Sequence, residues 1–346
     1  MASPFSSSIG AAVVHGGPDA LGVPAHDFST NGNACGPCPV TLAALEAVDA
    51  AHYPDPHYTV LRETLAHFHG VDAGRIVVAA SASEFIFRVT AAFASRGGRH
   101  VALPPHSYGD YRRAVRAWGL TALTSGEDPW AVGSARSLHW ACDPSSPLGQ
   151  AEPGLAARID RLPEGATCVL DLAYEPLRLA GALALTAAQR DRVWQLVTPN
   201  KALGLTGIRA AYAIAPRADR ALHETVAQLA PSWPVGSHGV ALLTAWTSPE
   251  AQAHLARSRA TLAGWKQRQI ALCESLGWTC LPSVGNFFCV RPGVDSLPAL
   301  AAGLRGQGIK VREAASFGLP EALRLAVLPP ASQDALHAAV QSLAAR

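Results

Sequence analysis

Lysine is nearly missing from this chain. Of its 28 basic residues only Lys201, Lys266 and Lys310 are lysines. A chain that uses arginine wherever a bare positive charge will do makes its remaining lysines candidates for amine chemistry, because arginine does not lose its proton in a protein. Charge is scarce too: charged residues make up 16% and the net charge is +2. That balance excludes an electrostatic nucleic-acid binder, and no basic run or zinc-finger spacing appears. No uninterrupted apolar run approaches a membrane span. The start, MASPFSSSIGAAVVHGG, lacks the positive and long apolar regions of a secretory signal. A cytoplasmic protein with no membrane partner is expected. The seven cysteines, at 35, 38, 142, 168, 273, 280 and 289, are odd in number and scattered, which is no disulfide framework.

What is present is a 346-residue chain, 49% hydrophobic, too apolar for disorder and long enough for one large domain or two modest ones. Short apolar runs alternate with helical patterns from about residue 60. RIVVAA (75–80), HVALPP (100–105), SLHWAC (137–142), TCVLDLAY (167–174), VWQLVT (193–198) and IRAAYAIA (208–215) read as buried strands. Short buried strands between helices predict a parallel or mixed sheet covered on both faces. A helical region follows over 219–276, broken near Pro231, Pro234 and Pro249. The last seventy or so residues read as a small α+β unit: GWTCLP and NFFCVRP as paired strands, a helix, GIKVRE, ALRLAVLP and a final helix. The expected division is an N-terminal segment 1–35 near the active site, a large domain 36–235 and a small domain 236–346, with the boundary in PSWPVGSHG.

Ligands of open α/β sheets sit beyond the carboxyl ends of the strands, so the residues found there matter most. After RIVVAA come Ser81, Ala82, Ser83 and Glu84, a capping-box pattern that opens a helix with free N–H groups, a seat for a phosphate or an ordinary cap. TCVLDLAY carries Asp171 and Tyr174. A carboxylate in an apolar strand needs a partner, either a structural arginine or a cationic ring nitrogen on a ligand. VWQLVTPNKALGLTGIR places Thr198, Lys201 and Arg209 after the next strand, with Arg209 opening the one that follows. A reactive amine, a buried acid, a helix N-terminus and an anchoring arginine suit pyridoxal phosphate: the amine forms the Schiff base and the acid keeps the pyridine nitrogen protonated.

On these residues the chain resembles the fold-type-I pyridoxal-phosphate enzymes, in the branch of histidinol-phosphate aminotransferases and threonine-phosphate decarboxylases. The likeness is spread over nearly the whole chain, and TPNKALGLTGIRAAY is its most specific segment. It implies an α/β fold with a mixed, mostly parallel sheet covered by helices and a small C-terminal α+β domain. It makes Lys201 the Schiff-base lysine, with Thr198, Arg209, Ser81, Ala82 and Ser83 on the cofactor phosphate. It gives Asp171 to the pyridine nitrogen, Tyr174 to the ring oxygen and Tyr108, in HSYGDY, to the ring face. Tyr53, in YPDPHY, would reach the phosphate of the partner subunit, which implies a homodimer. Arg324 would hold a substrate carboxylate and Arg312 a substrate phosphate, with His15 and Asn31 nearby.

The chain departs from the family pattern in three places. Asp143-Pro144-Ser145-Ser146-Pro147 stands where the family has N-P-N-N-P, so Ser146 replaces an asparagine that bonds the ring oxygen, with a shorter reach. Ser81 stands where the family has glycine, and Gly236 follows WPV where the decarboxylases often have asparagine. Cys35-Gly36-Pro37-Cys38 is spelled like a thioredoxin motif, yet it overlays the family's L-G-P-P and lacks both a preceding thioredoxin-like strand and the further ligands of a zinc site, so a structural role is expected. HGG at 15–17 and Trp233 favour L-threonine O-3-phosphate decarboxylation, a step of cobalamin side-chain assembly. The alternative is an aminotransferase for histidinol phosphate or another donor, and the third reading is a cofactor-free binding protein. Orientation separates the first two, because the bond that breaks at Cα is the one held perpendicular to the cofactor ring.

Overall fold

The computed structural model describes residues 16–124, 130 and 136–345. A two-residue strand β1 (His26–Asp27) precedes helices α1 (Pro39–Glu46) and α2 (Thr59–His69). Alternation then sets in with β2 (Ile76–Ala79), α3 (Ala82–Ser95), β3 (His100–Ala102), α4 (Gly109–Ala117), β4 (Thr121–Leu123) and β5 (Ser137–Cys142). It continues through α5 (Leu155–Asp160), β6 (Thr167–Asp171), α6 (Ala187–Arg190), β7 (Trp194–Val197), α7 (Pro199–Ala202) and β8 (Ala211–Ile214). Helices α8 (Arg220–Gln228), α9 (Ser237–Trp246) and α10 (Pro249–Ser275) follow. The chain closes with β9 (Thr279–Cys280), β10 (Phe287–Arg291), α11 (Leu297–Gly306), β11 (Ile309–Lys310), β12 (Arg312–Glu313), β13 (Leu323–Ala326) and α12 (Pro330–Ala344). The helical region is broken near Pro249 as expected: α9 ends at Trp246 and Pro249 opens α10 at a first-turn position, where the missing N–H costs nothing.

Seven strands form the main sheet in the order β2-β8-β7-β6-β5-β3-β4. β8 is antiparallel to both neighbours and every other pairing is parallel. The six remaining strands of this sheet therefore all run the same way, and their carboxyl ends share one edge. The period-two alternation of side chains explains how both faces are filled. Ile76, Val78, Leu170 and Tyr212 enter one apolar cluster, while their neighbours Val77, Ala79, Val169 and Ala211 enter the other.

A four-stranded antiparallel sheet, β12-β13-β10-β9, lies in the C-terminal part of the chain. β1 pairs with β11 in parallel, and this pairing stitches the N-terminal segment to that part. Two of the three lysines serve the stitching and the packing. Lys310 donates to the carbonyl of Gly17 at 2.5 Å and pairs with Asp19 at 3.0 Å. Lys266, buried on α10, donates to the carbonyls of Ser283 at 2.6 Å and Gly285 at 2.8 Å. α9, which starts just past the boundary expected near residue 235, packs on α1 and α2. Among the described residues no helix is long and apolar enough to cross a membrane.

Candidate active site

Lys201 lies on α7, immediately past the carboxyl end of β7. Its Nζ sits 5.2 Å from the centroid of the Tyr174 ring, and among the described residues no hydrogen bond or salt bridge engages it. The helix is fixed from the N-terminal segment. Asn33 N–H donates to the Lys201 carbonyl at 2.8 Å, Asn33 Nδ2 to the Ala202 carbonyl at 2.9 Å, and Cys38 N–H to the Leu203 carbonyl at 2.9 Å. The C-G-P-C stretch therefore backs the lysine-bearing turn. The fit is close: a Cβ on Gly204, whose φ is +69°, would lie 2.6 Å from the Gly36 carbonyl oxygen, so only glycine serves there. Both thiols are free, Cys38 is buried, and burial pushes the Cys35 thiol up.

Asp171 ends β6 and is 4% exposed. Its Oδ1 accepts from Ala173 N–H at 2.9 Å and its Oδ2 from the Tyr111 hydroxyl at 2.7 Å. Burial pushes this carboxyl up, and Tyr111, the Ala173 N–H and the Lys201 ammonium oppose the rise. Tyr174, three residues on, packs on Phe287 with centroids 4.7 Å apart and accepts from Asn31 Nδ2 at 3.4 Å.

Ser81 caps α3, accepting from Glu84 N–H at 3.1 Å. The reciprocal half of the expected capping box goes elsewhere: Glu84 Oε2 accepts from Ala80 N–H at 3.2 Å. Glu84 is also drawn to Arg88, whose Nε lies 2.9 Å from Oε1. The first-turn N–H groups of Ala82 and Ser83 have no intrahelical acceptor. Ser83 Oγ meets the Tyr108 hydroxyl at 3.2 Å, and burial pushes that phenol up to about 12.

Ser146 follows β5, and Arg324 on β13 reaches it, with Nη1 3.4 Å from the serine Oγ. Arg324 Nη2 also donates to the Ser29 carbonyl at 3.0 Å. Arg312 faces Arg324 across the β12–β13 pairing. The two guanidiniums flank Phe317, at 4.8 and 5.6 Å from its ring centroid. Burial, and then the neighbouring Arg324 charge, bring Arg312 down to about 10.

Three expected site residues stand apart. Tyr53 is 79% exposed and stacks on Trp233 at 4.5 Å. Arg209 is exposed and precedes β8, which begins only at Ala211, so it does not open the strand. Among the described residues its side chain has no hydrogen bond or ion pair. His15 lies outside the described residues. Tyr111 joins the site without having been among the residues expected there. The signal was present in YGDY, where a second tyrosine one helical turn after Tyr108 shares its face.

The fit to pyridoxal phosphate can be tested on the polar atoms that the fold leaves unpaired. Thr198 Oγ1 at the start of α7, Asn31 Oδ1 and Arg324 Nε are buried with no partner in the protein. Buried polar groups are nearly always satisfied, so such atoms around a free amine and a buried acid mark a polar ligand's seat. The donor set matches a phosphorylated pyridine aldehyde, and the fold and site define a pyridoxal-phosphate-dependent enzyme of fold type I.

The chain belongs to the aminotransferase class I and II family, whose pattern it matches over residues 25–128 and 133–343. It is 30% identical over 326 residues to the histidinol-phosphate aminotransferase of Rhodospirillum centenum, covering 89% of this chain and 88% of that one. The corresponding enzyme of Jannaschia is 28% identical, covering 92% and 91%. Among solved structures, the histidinol-phosphate aminotransferase of Sinorhizobium meliloti in complex with pyridoxal 5'-phosphate superposes with a TM-score of 0.81 at 24% identity, over 99% of this chain and 98% of that one. L-threonine-O-3-phosphate decarboxylase of Porphyromonas gingivalis superposes at 0.75 with 22% identity, over 92% and 99%.

Proposed function

We propose that this chain is an aminotransferase for a small amino donor that carries an anionic group, with histidinol phosphate as the first candidate. The observation that carries the reading is the convergence of Lys201 Nζ, the buried Asp171 carboxylate and the unpaired Thr198 Oγ1 at one sheet edge. The relatives at 30% and 28% identity, over about nine-tenths of the chain, favour transamination over the decarboxylation that the sequence motifs favoured.

Pyridoxal phosphate, when bound, supplies a reactive aldehyde and an electron sink. Lys201 would provide the amine that holds it and the base that moves the Cα proton of the donor. Asp171 holds the proton of the ring nitrogen. Thr198 Oγ1 and the N–H groups of Ala82 and Ser83 take the phosphate, with Ser81 capping the helix and Arg209 as a further cation. Tyr108 would cover the ring. Tyr174, Asn31 and Ser146 would hold its ring oxygen, and the shorter serine would leave more of that task to Tyr174. Arg324 takes a substrate carboxylate and Arg312 a second anion. Tyr53 acts across a homodimer interface, so an active monomer in gel filtration would remove it from the site.

Threonine-phosphate decarboxylation is the second reading. The paired guanidiniums of Arg312 and Arg324 suit a carboxylate and a phosphate on one small molecule. They equally suit the two carboxylates of 2-oxoglutarate, so products must decide. Histidinol phosphate with 2-oxoglutarate should give glutamate. CO2 released from L-threonine O-3-phosphate without any acceptor, with no glutamate from any donor, would replace the first reading by the second.

A further inference from the structure

Tyr111 joins α4 to the centre of the sheet. Its ring is fully buried, stacks on Trp140 of β5 at 4.3 Å and 18°, and meets Tyr108 edge-on at 6.0 Å. Its hydroxyl donates to Asp171 Oδ2 at 2.7 Å, while Ala173 N–H holds Oδ1 at 2.9 Å. Each carboxylate oxygen therefore has one fixed partner and keeps a lone pair for a ligand. Among the described residues the titratable and charged groups that face this carboxylate are Tyr111 from α4, Cys142 from the paired β5 strand, and Lys201 from α7. Cys142 gives its thiol hydrogen to the Pro144 carbonyl at 3.3 Å. Tyr111 is thus the one side-chain hydrogen-bond donor to Asp171 among the described residues.

We propose that Tyr111 is a positioning residue that keeps the Asp171 carboxylate ionised and in one orientation, aimed at the ring nitrogen of the cofactor. The inference rests on the functional reading above. Taking a carboxylate out of water favours its neutral form, and a neutral acid does not hold a pyridine nitrogen protonated. A hydrogen bond to the charged form is the local means of opposing this, and bonds to charged groups are the stronger ones. The stack on Trp140 fixes where the hydroxyl points.

Tyr111→Phe removes one oxygen and leaves the stack in place. Titration of the cofactor-free protein with pyridoxal phosphate is expected to show about tenfold weaker binding, the size expected for a bond to a charged group. The acid limb of the kcat profile is expected to move to higher pH, because the carboxylate then protonates more readily. In an Asp171→Asn background the same change should have no further effect on cofactor affinity. Unchanged affinity and an unmoved acid limb in Tyr111→Phe would overturn the proposal. So would a loss of affinity matched by a drop in the melting temperature of the cofactor-free chain, which would make the hydroxyl merely structural. A wild-type chain that takes up no pyridoxal phosphate would instead overturn the functional reading on which the proposal stands.

Discussion

Arg324 Nη1 donates to Ser146 Oγ at 3.4 Å, which ties β13 to the turn that follows β5. Nη2 donates to the Ser29 carbonyl at 3.0 Å, while Nε stays buried and unpaired. The proposed function assigns this arginine to a substrate carboxylate.

Arg324→Gln keeps a polar side chain but removes the charge. The expected result is a KM for the anionic substrate raised about tenfold or more, with the smaller change in kcat, since a charge-assisted bond made in both ground and transition states is lost. Steady-state kinetics over a range of donor concentrations checks it; an unchanged KM contradicts it.

A second arginine acts on stability. Arg178 bonds both Asp143 and Glu175, and its side chain and that of Asp143 are almost fully buried. Arg178→Met leaves the Asp143 charge without its partner, at an expected cost of about 3–5 kcal/mol. The Asp143→Leu/Arg178→Met double variant should recover much of that loss. Urea unfolding of the three chains measures both.

His69 gives the stability an acid dependence. Its Nε2 lies 2.7 Å from the Tyr212 hydroxyl, and burial, then the Arg190 charge, bring it down to about 4 from the ordinary 6.5. The unfolded chain therefore binds a proton that the folded chain refuses, and stability falls as pH drops from about 6.5 toward 4. His69→Gln should flatten this part of the profile. Denaturation midpoints measured across that window would show it, and parallel wild-type and variant curves would refute the assignment.

The thioredoxin-like spelling should be silent. Cys38 is buried, and Cys35, whose thiol burial pushes up, donates to the Ser258 carbonyl at 3.7 Å. A reactive cysteine needs the opposite shift. Cys35→Ser is expected to leave activity and its response to mild oxidants unchanged, in an assay with and without peroxide.

The candidate site was legible where its residues sit at strand ends. The apolar runs containing Asp171 and preceding Lys201 are strands of the main sheet, and the polar residues beyond them converge as the parallel topology requires. What was not legible follows from distance in sequence. The spacing in YGDY puts Tyr111 on the face of Tyr108, but only the contact with Asp171, sixty residues away, gives it a task. β1 and β11 are two residues each, too short for any periodic signal, yet they tie together segments far apart in the chain. The scarcity of lysine pointed to three candidates, and two proved to be fasteners: Lys266 inside α10 and Lys310 against Asp19. Arg209 and Tyr53 stay on the surface of the single chain, where a sequence pattern cannot say what would cover them.

The same scarcity makes the central claim simple to test. The protein is loaded with pyridoxal phosphate, reduced with borohydride, digested and weighed by mass spectrometry. A pyridoxyl phosphate on the peptide containing Lys201, lost in Lys201→Ala while the cofactor-free chain still melts cooperatively, is the predicted result. The label on Lys266 or Lys310, or on no lysine at all, would contradict the account.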